Sequence, residues 1–480
     1  MQFNVYLDNK KLLFITLFVL AGGWSCTPLK KTASEQTNQT PWVLIGQDNQ
    51  VIARINSMTL PCPAITLDGK SQPMSVRAPA EVSPLRGTVS NTAESKPSVF
   101  SSTTCEAIVP KHTASASIAS RTLPLPKAEI KRIVILGDTG CRMKKSNGQY
   151  FLQDCSDENA WPFAKIARTT AALQPDLVLH VGDYHYRESA CPENNKNCAN
   201  SPWGYGSDTW DADFFQPASS LLAIAPWVVV RGNHEECARA GQGWFRYLDT
   251  QPYIAKRTCN NPADDDIANY SEPYAVALDK HTQIIVFDSA KTLDSVKKSS
   301  DFLPKEHIQS IQYRQQLQKV SELANKSNIA SFFASHHPVL GWKSAYGIPT
   351  PLAQHSMLAK IMHDIYGNAY YPEKIRAAFH GHIHNLQIIS FASNHPASFV
   401  VGNGGDSADH DFPEPFPKDI QPAIGTVMQY FAHTQHYGFL LMEKVATDWR
   451  YQAYDANGNL LTTCTLTNAR QLSCSKTGKL

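Results

Sequence analysis

Five short blocks of oxygen and imidazole donors lie between Asp138 and His384, each directly behind an apolar run. Gly137-Asp138-Thr139-Gly140 follows Ile133-Val134-Ile135-Leu136, and Gly182-Asp183 follows Leu177-Val178-Leu179. Gly232-Asn233-His234-Glu235 follows Trp227-Val228-Val229-Val230. Ser335-His336-His337-Pro338 and Gly381-His382-Ile383-His384 close two further runs. A single Asp behind a strand is ordinarily a cap or a turn residue. Donors behind five strands carry more weight, because strand C-termini in an open α/β sheet share the edge where ligands bind. Carboxylate, amide and imidazole together suit borderline metal ions such as zinc, iron or manganese.

The elements that must position these blocks alternate. Apolar strands are separated by helical stretches around Trp161 to Leu173, Asp211 to Ile224 and Glu306 to Leu323, which reads as an α/β layered domain. The late runs Phe399-Val400-Val401 and Tyr437 to Met442 are expected to complete a second sheet. Residues 42–128, rich in Ser, Thr, Pro and Val with short apolar runs between turn residues, read as a small β-rich domain or extension. Leu123-Pro124-Leu125-Pro126 reads as a stiff linker. The expected division is an export signal over 1–25, a leader over 26–41, the β-rich region over 42–128, the catalytic domain over 129–455 and a disulfide-stapled tail over 456–480.

Lys10 and Lys11 precede an apolar run that is too short to span a membrane comfortably, the pattern of an export signal. Cys26 follows at once and is a candidate for lipid attachment, although Gly23 stands where such signals prefer Leu. An uncleaved signal would be another route to the membrane. Export predicts disulfides, and setting aside Cys26 leaves an even number of the 11 cysteines. Cys191/Cys198 and Cys464/Cys474 read as short staples. The spacing leaves the remaining connectivity open. A formal charge of +2 offers no bulk field for nucleic acid, so none is expected as a partner. The oligomeric state is not readable.

The five ordered blocks resemble the calcineurin-like metallophosphoesterases. Gly140, where most of that superfamily has His, and Tyr186, three residues after Asp183, resemble the purple acid phosphatase branch. That resemblance implies an α/β/β/α sandwich and a dinuclear centre. Asp138, Asp183, Tyr186 and His384 would hold one ion. Asp183, Asn233, His336 and His382 would hold the other, with Asp183 bridging. A carboxylate can bridge two cations and relieve their repulsion. Alternate side chains of extended His382-x-His384 share a face, so they can reach adjacent ions. A phenolate is a hard donor that favours ferric iron, which implies Fe(III) paired with Zn(II), Fe(II) or Mn(II).

The reaction implied is hydrolysis of small phosphomonoesters by in-line attack of a metal-bound hydroxide. His234 is assigned to the leaving group, with Glu235 orienting and charging it. His337, beside His336, is a further catalytic candidate that would face substrate, with a supporting or solvent-facing histidine as the alternative. Arg187 is read as a structural ion pair and His180 and His380 as core histidines. For Asn403-Gly404-Gly405-Asp406, approach of backbone to the site and a plain turn stay open. A phosphodiesterase or nucleotide hydrolase on the same site is the first alternative. A surface binding protein with a non-catalytic metal centre is the second.

Overall fold

The computed structural model describes residues 40–326, 329–467 and 472–480. The signal segment and Cys26 lie outside these residues. Each apolar strand that precedes a donor block divides its side chains between two layers, as the two-residue period of a strand requires. Ile133 and Ile135 face the core between two sheets, while Val134 and Leu136 face a helical layer. In the other sheet Ile284 faces the inter-sheet core and Ile285 faces outward, as do Phe332 and Phe333 in turn. Burial on both faces is why these strands read as continuous apolar runs. The helices Phe163–Ala172 and Gln216–Leu222 cover the first sheet. Ile308–Ala324 and Met357–Tyr366 cover the second. The molecule is therefore an α/β/β/α sandwich with a β-rich N-terminal region, as expected.

The first sheet has eleven strands, and its centre is the parallel set Arg132–Leu136, Leu177–His180 and Trp227–Val229. The second sheet has eight strands, with Thr282–Val286, Ala330–Ala334, Ile375–His380 and Ala397–Val401 parallel. All five donor blocks follow the C-terminal ends of these parallel strands. Gly438–Val445 belongs to the first sheet, antiparallel to Arg132–Leu136. The expectation that it completes the second sheet is corrected: its Leu440 and Met442 fill the inter-sheet core from the first-sheet side.

In the N-terminal region Trp42–Ile45 lies parallel to Trp227–Val229, and Val51–Ser57, Thr103–Val109 and Ser75–Ala78 extend the same sheet outward. A buried Arg54 ties this extension to the loop after Tyr247, donating to the carbonyls of Tyr247 and Asp249 at 2.8 and 2.7 Å. At the other end, Leu460–Leu466 and Leu472–Cys474 continue the first sheet. Gly478–Lys479 adds to the second.

Five disulfides join Cys62–Cys105, Cys141–Cys155, Cys191–Cys198, Cys237–Cys259 and Cys464–Cys474. Both expected short staples are among them. Such density is consistent with an oxidising, exported setting. No helix of the described residues is long and apolar enough to cross a membrane. Cys141–Cys155 closes the hairpin of Met143–Ser146 and Gln149–Leu152 immediately after Gly140, across 14 residues of sequence. Replacing both cysteines by Ser should lower unfolding free energy by about 3 kcal/mol through the released unfolded chain. Denaturant midpoints of the double variant and the parent measure this.

Candidate metal centre

The seven residues expected as ligands converge at the end of the sandwich, and their atoms form two groups with Asp183 common to both. In the first group the Tyr186 hydroxyl lies 3.1 Å from Asp138 Oδ1, 2.9 Å from Asp183 Oδ2 and 3.0 Å from His384 Nε2. In the second, His336 Nε2 lies 2.9 Å from Asn233 Oδ1 and 3.2 Å from Asp183 Oδ2, and His382 Nδ1 lies 3.1 Å from Asn233 Oδ1. Ligand bonds of roughly 2.0–2.2 Å place neighbouring donors of one ion about 3 Å apart, so these separations suit two coordination spheres.

Hydrogen bonds alone do not satisfy this set. One phenolic proton cannot serve three acceptors. His336 Nδ1 donates to the Val181 carbonyl at 2.9 Å and His384 Nδ1 to the Ser407 carbonyl at 2.9 Å, so a neutral ring at either position would turn its Nε2 lone pair toward other acceptors. Positive charge is what the arrangement lacks. Against the effect of burial, Asp183 lifts His336 to about 9, and Asp406 with Asp138 lifts His384 to about 10. Burial and the two carboxylates push the Tyr186 phenol well above its usual range. Bound cations would replace those protons, so the residues fit a metal pair.

The backbone around the centre is shaped to allow the crowding. Asp138, Asp183 and His382 have φ of 56°, 58° and 71°, a left-handed conformation that costs on the order of 1 kcal/mol each and clusters at functional sites. A Cβ on Gly140 would stand 2.9 Å from Tyr186 Cδ2 and 2.8 Å from Tyr186 N. The glycine that replaces the more usual His therefore makes room for the tyrosine. Asp213 sits in a π-helical turn, Asp211–Phe215, and accepts from the backbone N–H groups of Cys141, Tyr186 and Arg187. It also pairs with Arg187 at 2.6 Å, the structural ion pair expected for that arginine.

The other expected residues fall as follows. His180 stacks on Tyr184 and bonds Thr139, and His380 bonds Ser335, both inside the core. The loop Asn403–Asp406 approaches the first block, with Gly404 N–H on Gly137 O and Asp406 N–H on Asp138 O. Glu235 does not reach His234. Its carboxylate accepts from the N–H groups of Gly232, Asp183 and Tyr184, and burial with Asp183 nearby pushes it up to about 8. The orienting role expected for it is corrected: Glu235 clamps two ligand-bearing turns together.

The carboxylate beside His234 is Glu188, 3.5 Å from its Nδ1. Glu188 also holds Arg239 at 2.6 Å, and Arg239 reaches His234 Nε2 at 2.5 Å. His234 Nδ1 donates to the His185 carbonyl at 2.8 Å. Burial and Arg239 hold this imidazole well below its ordinary range, against the pull of Asp183 and Glu188. His337 is buried and bonded to Ser289, and its ring centroid lies 4.2 Å from that of His382. Glu188, Arg239, Asp213 and the Arg142–Asp406 ion pair were not singled out in the sequence. Glu188 and Arg239 lie next to donor blocks, which was the available signal.

Residues 131–386 match the family described as calcineurin-like phosphoesterase. No curated protein matches the chain. Among solved structures, the purple acid phosphatase PPD1 from seeds of yellow lupin (Lupinus luteus) is similar with a TM-score of 0.53 and 14% identity, over 89% of this chain and 74% of its own. A structure titled PhoD is similar with a TM-score of 0.54 and 12% identity, over 93% of this chain and 95% of its own. At those identities the likeness concerns the fold.

Because Asp183 serves both groups, Asp183→Asn should remove charge from both spheres at once. The expected outcome is loss of most bound metal, read by elemental analysis, with activity reduced to near background.

Proposed function

The chain belongs to the calcineurin-like phosphoesterase family, and on that premise we propose that it is an exported binuclear-metal phosphatase hydrolysing phosphomonoesters. The observation that carries the reading is the pair of donor groups about 3 Å in internal spacing that share Asp183. Asp138, Asp183, Tyr186 and His384 would hold one cation and Asp183, Asn233, His336 and His382 the other. The chemistry a bound pair supplies is neutralisation of phosphate oxygens and a water acidic enough to act as nucleophile near neutral pH. Tyr186 favours ferric iron in the first position, with Zn(II), Fe(II) or Mn(II) in the second. The five disulfides support export.

His234 lies against the Tyr186 ring, with centroids 3.8 Å apart, and its Nε2 is 3.8 Å from Asp183 Oδ2. It follows Asn233 directly and so borders the place where phosphate would sit. In this reading His234 assists the departing alkoxide together with Arg239. The guanidinium brings fixed positive charge to Nε2, and Glu188 holds both residues in place. With Nδ1–H donating to the His185 carbonyl, Nε2 would protonate the alkoxide only from the imidazolium form, and in the neutral form the N–H donor beside it is Arg239. Donors aimed at developing charge in a buried site are typically worth about 10²–10³ in rate.

Turnover of p-nitrophenyl phosphate and of its bis-ester tests the substrate class, with the monoester expected to be preferred. Faster turnover of the bis-ester would contradict it. His234→Ala should keep both metals and lose about 10²–10³-fold in kcat, more for alkyl phosphates than for p-nitrophenyl phosphate, whose leaving group needs little help. Equal losses on both substrates would remove the leaving-group assignment. Tyr186→Phe should abolish a visible phenolate-to-iron absorption band. A colourless parent holding only zinc or manganese would contradict the iron assignment.

A further inference from the structure

We propose that Asp294, on the irregular loop after Thr282–Val286, is a positioning residue that fixes His382 for the second metal. This rests on the dinuclear reading above. Each of the three histidines assigned as ligands has one nitrogen turned to the donor groups and the other engaged behind it. For His336 and His384 that outer nitrogen meets main-chain carbonyls, of Val181 and Ser407, with Asp406 also 3.1 Å from His384 Nδ1. For His382 the outer nitrogen is Nε2, and it meets Asp294 Oδ2 at 2.8 Å while Nδ1 points to Asn233. A carboxylate behind a ligating imidazole fixes its tautomer and ring orientation and raises its basicity. His382 needs such support more than its partners do: it stands in left-handed backbone, and its side chain is 19% exposed against 0% for His336.

The loop is built to hold Asp294 still. Leu293 N–H donates to Gln309 Oε1 at 3.0 Å, and its carbonyl accepts from Met357 N–H at 2.8 Å. Thr292 Oγ1 accepts from Leu358 N–H, and Val296 N–H donates to His355 O. The residues on both sides of Asp294 are thus tied to the start of the helices Ile308–Ala324 and Met357–Tyr366. Upstream, Ser289 Oγ accepts from His337 N–H at 3.0 Å and meets its Nδ1 at 3.1 Å. His337 Nε2 lies 3.9 Å from Asp294 Oδ2, so the carboxylate is flanked by the His337 ring and by the imidazole it orients. The same three residues bring donor atoms within 4.8 Å of one another. A separate ion there would compete with the hydrogen bond to His382, which makes ion stoichiometry a decisive reading.

The test strips the full chain of metal with a chelator and titrates it calorimetrically with Zn²⁺ alone. The parent is expected to bind two ions. Asp294→Asn is expected to weaken one of them by about 10- to 100-fold and leave the other unchanged, with the melting temperature of the metal-free protein unaltered. Asp294→Glu, which keeps a carboxylate, is expected to recover part of the lost affinity. Unchanged affinities in Asp294→Asn, equal weakening of both ions, or a third ion in the parent that the variant loses would each overturn the proposal. If Asp294→Asn fails to fold, Asp294→Glu with one ion partly weakened and the other unchanged supports it, and Asp294→Glu with both ions at parent affinity, or both weakened equally, overturns it. A parent that binds fewer than two ions would sink the dinuclear reading itself, and this proposal with it.

Discussion

Asp183 sits where two sets of electron-pair donors meet, and the rest of the site is arranged around the repulsion this creates. Its Oδ2 lies 2.9 Å from the Tyr186 hydroxyl and 3.2 Å from His336 Nε2. Buried acceptors facing one another are costly unless positive charge lies between them. The need for positive charge, met by protons on His336 and His384 or by bound cations, is therefore a property of the packing itself.

Holding such a set together takes a rigid frame. Two sheets supply it, because the parallel strands of both end at one edge and deliver their donors there. Local devices complete the work: left-handed turns at Asp138, Asp183 and His382, a glycine at 140 that admits the Tyr186 ring, and carboxylates that grip backbone rather than metal. Glu235 and Asp213 belong to this last kind, each receiving three N–H groups from loops that carry ligands. Around the edge, charged pairs such as Arg142–Asp406 and Arg239–Glu188 keep the remaining cations paired yet close to the reacting space.

What could be read from the sequence was what depends on local pattern. The apolar runs and the donors directly behind them lie side by side in the chain, so a layered α/β domain with donors gathered at its strand ends is legible from local pattern, whereas the α/β/β/α sandwich and the set Asp138, Asp183, Tyr186, Asn233, His336, His382 and His384 are what the family resemblance implies. Contacts between distant segments could not. Sequence adjacency makes Glu235 the expected hydrogen-bond partner of His234. In the tight turn Asn233–Glu235 consecutive side chains diverge, and Glu188 from another loop fills the place. Asp294 gave no signal at all, since nothing in an irregular loop marks which carboxylate will face a histidine from another strand. The pairing of Trp42–Ile45 with Trp227–Val229, and of Gly438–Val445 with Arg132–Leu136, likewise depends on partners far along the chain.

The most direct measurement of the central claim is X-ray absorption at the metal edges of the purified protein. The account predicts nitrogen and oxygen ligands in the first shell and a metal–metal scattering feature at about 3.5–4 Å, as a carboxylate-bridged pair requires. A spectrum of isolated ions with no metal–metal feature, from protein that is fully loaded and active, would contradict it.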